Sequence, residues 1–93
     1  MIYLDHYTKK FEDLSEMIEH TQNFIYTLSG RLRDLEEEYF KNPSKNISRK
    51  ILEVQSEIYS NEEDLENYKE EFEELRYSYD VQSTYRTMTG GDI

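Results

Sequence analysis

The chain has 93 residues, a net charge of −10 at pH 7 and no cysteine. This length allows one domain at most, and the missing thiols exclude disulfide bonds and thiolate metal sites. The acidity argues against nucleic acid or an anionic membrane as a direct partner and favours a basic protein surface. No apolar run approaches the roughly 18 residues of a membrane span, and the N-terminus does not read as a signal peptide.

The composition carries a weaker indication of origin and location. The chain contains no alanine or tryptophan and is rich in Tyr, Asn, Glu, Lys and Ile, which favours an AT-rich genome such as that of a bacteriophage or a low-GC bacterium. The lack of cysteine fits a reducing compartment. We therefore expect a cytoplasmic protein, or a virion protein if the origin is a phage.

The first element is a helix predicted from about residue 3 to about residue 41. Apolar side chains repeat here with the alternating spacing of three and four residues that defines core positions a and d of a heptad. These positions are 4, 7, 11, 14, 18, 21, 25, 28, 32, 35 and 39, and only Thr21 among them is neither apolar nor aromatic. A repeat without a slip predicts a helix that packs along its whole length.

A single strong break follows at residues 42–46. Pro43 cannot occupy a helix interior, and it biases the preceding residue away from helical geometry. Asn42, Ser44 and Asn46 are all suitable N-caps for a second helix. The break therefore predicts a turn between two helices.

The second helix is predicted from about residue 46 to about residue 84. Its core positions are 47, 51, 54, 58, 61, 65, 68, 72, 75, 79 and 82, with polar exceptions at Asn61 and Gln82. The hairpin then comprises residues 1–86, and residues 87–93, which include two adjacent glycines, are predicted to form a flexible tail.

The two repeats predict an all-α fold, an antiparallel two-helix coiled-coil hairpin. If the turn centres on Pro43, the numbers of facing core residues add up to about 86. This register places Thr21 and Asn61 in adjacent layers, where a hydrogen bond between their side chains would fix the alignment of the helices. The core is then aliphatic near the turn and aromatic near the chain termini.

Apolar side chains outside the core positions predict a further interface. A second apolar stripe on a helix usually packs against another helix, so we expect a homo-oligomer, most simply a dimer that forms a four-helix bundle. A different protein partner and ordinary scattered surface residues are the alternatives. The interface residues predicted from heptad positions g and b are Tyr3, Met17, Phe24, Leu52 and Tyr59.

The second helix also carries a dense acidic run, with ten acidic residues and one basic residue between 53 and 75. A solvated helix face explains such a run most simply. A functional interpretation is a surface that imitates the phosphates of DNA, or one that docks another basic protein. The predicted partner-binding face comprises Glu62, Glu63, Asp64, Glu66, Glu70, Glu71, Glu73 and Glu74.

Catalytic, cofactor and metal chemistry find little support in the sequence. His6 and His20 lie four helical turns apart, roughly 21 Å at 1.5 Å per residue, so one chain cannot bind a metal ion with both. Glycine-rich phosphate loops, nucleophile elbows and Ser/His/Asp sets are missing. We therefore expect a protein that is not an enzyme and that binds no cofactor or metal ion.

In size and hairpin shape the chain is similar to small secreted helical hairpins that have a Trp-x-Gly turn. Here the turn reads Asn42-Pro43-Ser44 and the chain has no tryptophan, so only the shape agrees. Shape alone does not imply function. Three hypotheses remain: a structural, assembly or adaptor protein, a nucleic-acid-mimicking inhibitor of a host protein, and a secreted helical-hairpin partner or chaperone.

Overall fold

The computed structural model describes the backbone of residues 2–91 and the side chains of residues 6–81. Two α-helices, α1 (Ile2–Lys41) and α2 (Lys45–Gly91), pack against each other as an antiparallel hairpin. The rod measures 75 × 16 × 14 Å between Cα atoms. The predicted all-α hairpin is confirmed.

The turn is shorter than predicted, because α2 already begins at Lys45. Ser44 is the N-cap, since its Oγ accepts a hydrogen bond from the Ile47 backbone N–H at 3.1 Å. The carbonyl of Ser44 accepts the first bond of the helix, from the Ser48 N–H at 3.0 Å. Of the three possible caps, the serine directly after Pro43 is used.

Burial follows the heptad repeat closely. Every predicted core position whose side chain is described is buried or half-buried, except Tyr39. The side chains predicted at Leu4 and Gln82 lie outside the described residues. Over residues 6–81, the positions buried between the two helices are therefore the ones predicted from the sequence, apart from Tyr39.

The register can be read from ring contacts at the open end of the hairpin. Tyr7 and Tyr79, which were predicted to face each other, have ring centroids 5.4 Å apart at an interplanar angle of 72°. Phe11 lies between Phe72 at 5.2 Å and Tyr79 at 6.1 Å, as expected for a residue that faces position 75. These edge-to-face pairs confirm the alignment and each add roughly 0.5–1.5 kcal/mol beyond area burial.

The core of the half beside the turn consists of aliphatic side chains, also as predicted. Leu28, Leu35 and Val54 are buried and form one cluster. Four half-buried residues pack around it, Leu32, Ile47, Ile51 and Ile58. The best-shielded part of the core therefore lies beside the turn.

The predicted hydrogen bond between Thr21 and Asn61 is wrong. Both residues are half-buried, but the Nδ2 of Asn61 donates to the backbone carbonyl of Glu57 in its own helix at 2.7 Å. One N–H of the amide is therefore bonded within α2, and among the described residues no hydrogen bond joins Asn61 to Thr21. Register is therefore set by the apolar layers rather than by a polar pair.

Two further expectations differ from the structure. Tyr39 is 40 % exposed although it occupies a core position, because α1 ends two residues later and little of α2 covers it. The second helix continues past residue 84 to Gly91, so residues 87–91 are helical rather than a loose tail. Residues 83–89 contain neither proline nor glycine, so nothing stops the helix before Gly90. Residues 92 and 93 lie outside the described chain.

Leu28→Ala should lower the free energy of unfolding by about 2–5 kcal/mol, because Leu28 is only 4 % exposed and its removal leaves a cavity in the aliphatic cluster. Tyr77→Ala is the control, since Tyr77 is 72 % exposed and should change stability by at most about 0.5 kcal/mol. Urea titration followed by circular dichroism at fixed protein concentration measures both. Equal effects of the two substitutions would contradict the assigned seam.

Ser44→Ala should lower the free energy of unfolding by about 1 kcal/mol, because the Ile47 N–H loses its acceptor. Ser44→Asp keeps an acceptor at the same place and should retain most of the stability. The same titration measures both variants. A Ser44→Ala protein as stable as the wild type would show that the cap contributes nothing.

Candidate interaction surfaces

Several large apolar side chains remain exposed outside the seam. Of the five predicted interface residues, Met17 is 43 %, Phe24 48 %, Leu52 63 % and Tyr59 76 % exposed. The side chain of Tyr3 lies outside the described residues. Two residues that the predicted set left out are more exposed still, Tyr26 at 83 % and Phe40 at 88 %.

These residues do not form one stripe, because they occupy two sides of the hairpin. In an antiparallel pair the g positions of both helices share one side of the seam and the e positions share the other. A groove lined by Met17 of α1 and by Glu71 and Ser78 of α2 marks the g side. Half-buried Ser29 and Ser48 occupy e positions and border the seam on the opposite side.

The e side carries a group of residues that we call the turn-side patch. All four of its members occupy position b, next to e, and each is more than half exposed. Heptad position b is the sequence signal that Tyr26 and Phe40 share with Leu52 and Tyr59. The turn-side patch consists of Tyr26, Phe40, Leu52 and Tyr59.

The g side has a different chemistry. Met17 lies in a groove whose rim includes the carboxylates of Asp13, Glu71 and Glu74 and the ammonium of Lys10. Phe24 occupies the next g position along α1. Apolar side chains here are therefore bordered mainly by negative charge, whereas the turn-side patch is bordered by Ser29 and Ser48 and by the opposite charges of Arg33 and Glu36.

Charge is divided sharply along the rod. Residues 26–60, which form the half next to the turn, carry six acidic and six basic side chains, so this turn half is neutral. Residues 1–25 and 61–93, which form the open half, carry 15 acidic and five basic side chains. The whole net charge of −10 therefore belongs to the open half.

The eight predicted acidic partner-binding residues are all exposed, but they do not form a single face. Their heptad positions are e, f, g, b and c, which together cover the circumference of α2 apart from its seam. Asp64 and Glu71 lie on the g side, for example, and Glu62 lies on the e side. The acidic run is a sleeve around the helix, and it presents negative charge in every outward direction.

The charge density of this sleeve approaches that of a nucleic acid. In the register of the hairpin, residues 62–74 lie level with residues 12–24, and the two segments hold twelve acidic residues and one basic residue. Twelve steps of 1.5 Å give a length of about 18 Å, or about one net negative charge per 1.6 Å. Duplex DNA carries one per about 1.7 Å.

Among the residues that the structure describes, no group of three or more His, Cys, Asp or Glu side chains is arranged to hold a metal ion. No helix in the described part of the chain is long and apolar enough to span a membrane.

Comparisons of the chain with protein-family models, with curated proteins and with solved structures found no match in any of the three.

Proposed function

We propose that this protein is a non-enzymatic structural, assembly or adaptor component that self-associates and acts by binding other proteins. The observation that carries the proposal is the set of large apolar side chains left exposed after the hairpin has formed, with Tyr26, Phe40 and Tyr59 each more than 70 % exposed. Their burial against another chain would stabilise the complex by about 25 cal/mol per Å² of apolar area.

The shape of the molecule supports this function. A hairpin that buries a single seam has most of its surface outside, and its rod of 75 × 16 × 14 Å presents long helical faces. Such faces bind partners by adding helices alongside. The protein would work in the cytoplasm, or in a virion if it comes from a phage.

A second candidate function is a nucleic-acid mimic that occupies the basic binding channel of a host protein. The observation that favours it is the charge density of the acidic segment of the open half, residues 62–74 together with residues 12–24, which is close to that of duplex DNA. A rod only 16 × 14 Å across between Cα atoms would fit into a channel shaped for a nucleic acid.

Self-association is tested by sedimentation equilibrium of the full chain between about one and several hundred micromolar. The expected result is a mass that rises toward twice 11.3 kDa, because the exposed apolar residues become buried between copies. A mass that stays at one chain throughout this range would contradict the self-association in the leading proposal.

The mimic function is tested by replacing Glu62, Glu63, Glu70 and Glu71 together with glutamine. A tagged protein is used to capture partners from a lysate of the native host at low and high salt, and mass spectrometry identifies them. The expected result is a basic nucleic-acid-binding protein that is captured at low salt, lost at high salt and lost with the variant, since binding depends on charge.

The control variant removes the same number of charges from the turn half, by glutamine at Glu37, Glu38, Glu53 and Glu57, and should keep the partner. Capture that is unchanged by the first variant, or equally reduced by both, would contradict a mimic function located in the open half.

A further inference from the structure

We infer that the turn-side patch is the surface on which a second copy of this chain packs, with the two hairpins antiparallel and their acidic open halves pointing away from each other. The inference rests on the proposed self-association and specifies its surface and its geometry. Three observations carry it: the positions of the four patch residues, the division of charge along the rod, and the area available.

The patch is self-complementary about one point. Tyr26 and Phe40 lie seven residues on either side of Arg33 in α1, so a two-fold axis near Arg33 places Tyr26 of each copy against Phe40 of the other. In α2 the midpoint of Leu52 and Tyr59 falls between residues 55 and 56. The hairpin register brings these two centres within about 2.5 residues, or about 4 Å at 1.5 Å per residue. One axis therefore pairs all four residues.

The charges select the antiparallel arrangement. Two copies aligned with their turns at the same end would hold two open halves, each with a net charge of −10, side by side along the rod. Helix axes about 10 Å apart are near one Debye length at physiological salt, so this repulsion is only partly screened. With the copies antiparallel, the neutral turn halves overlap and the acidic halves extend in opposite directions.

The side chains next to the patch also leave room for a second copy. Ser29 and Ser48 border the seam on this side, and small side chains allow two helix pairs to approach closely. Arg33 lies at the axis, and Glu36 lies one turn further along α1 in each copy, at a spacing where opposite charges attract. The g side lacks this property, because Met17 lies beside Glu71 and would bring carboxylates of two copies together.

The available area is large enough for a specific dimer interface. The overlap extends from the axis near Arg33 to the turn at Pro43 in each copy, which is about 30 Å in total at 1.5 Å per residue. Two helices side by side are about 20 Å wide, so each copy would bury on the order of 600 Å². The total of about 1,200 Å² lies at the lower end of specific interfaces.

Small-angle X-ray scattering of the full chain at concentrations where it is dimeric tests the geometry. Two rods of 75 Å that overlap by about 30 Å form a particle about 120 Å long, whereas copies aligned side by side remain near the length of one rod. A maximum dimension close to 75 Å in a sample of dimeric mass would overturn the antiparallel arrangement.

Cross-linking tests the position of the axis. Because the chain has no natural cysteine, only an introduced cysteine supplies a thiol for the cross-linker. Arg33→Cys places a thiol at the proposed axis, and Asp34→Cys places one at the next residue, in heptad position c on the other side of the hairpin. With a short bismaleimide, the Arg33→Cys chain should form covalent dimers at least tenfold faster. Equal rates, or a faster reaction of Asp34→Cys, would overturn the assignment.

A pair of matched substitutions distinguishes a wrongly assigned dimer surface from a chain that does not self-associate. Leu52→Lys should weaken dimerisation at least tenfold, and Met17→Lys, an equivalent change on the g side, should leave it within about twofold, with helicity unchanged in both. A wild-type chain that is monomeric would overturn self-association altogether. A dimer lost with Met17→Lys and kept with Leu52→Lys would leave self-association standing and overturn the turn-side patch.

Discussion

The structure depends on one row of side chains that is buried between two helices. Each core residue can be covered only from the facing helix, so even in the aliphatic cluster many residues are half-buried rather than buried. A two-helix hairpin gains less from apolar burial than a larger domain with several layers, because small chains bury a smaller share of their surface. This limit makes the apolar residues outside the seam significant, since association with another chain is the remaining way to bury them.

The two halves of the rod differ in their charge and in the side chains that form their core. The turn half is electrically neutral and needs only aliphatic packing. In the open half, the crowded carboxylates of the two helices repel each other. Its core contains the larger aromatic rings, including the edge-to-face contacts of Tyr7 with Tyr79 and of Phe11 with Phe72. Because each ring buries more area than an aliphatic side chain, aromatic layers help to hold this half closed against the repulsion.

Much of the fold could be predicted from the sequence, because one spacing rule determines both helices, their seam and their register. The rule does not predict local hydrogen bonds, such as the one that the Asn61 amide donates to a carbonyl of its own helix. It fails at the end of the seam, where Tyr39 is exposed. These are effects of single contacts that a heptad pattern does not contain.

The surfaces were harder to predict than the seam. The pattern identified exposed apolar residues such as Met17 and Leu52 but assigned them to one interface, since a count of heptad positions does not show which sides of two helices coincide. The antiparallel pairing separates them, as the groove that joins Met17 to Glu71 makes clear. The predicted acidic face is instead a sleeve, because its residues occupy every outward heptad position of α2.

The position of the aliphatic cluster beside a three-residue turn has a consequence for folding kinetics. Contacts such as Leu35 with the start of α2 close a short loop, whereas contact of Tyr7 with Tyr79 closes one of more than 70 residues. Loop-closure entropy rises with loop length, so the early contacts form next to the turn. The hairpin should therefore fold from the turn toward the open end. On warming it should fray from the acidic end first, and the backbone amides of the aliphatic cluster, such as those of Leu35 and Val54, should be among the last to exchange their hydrogens.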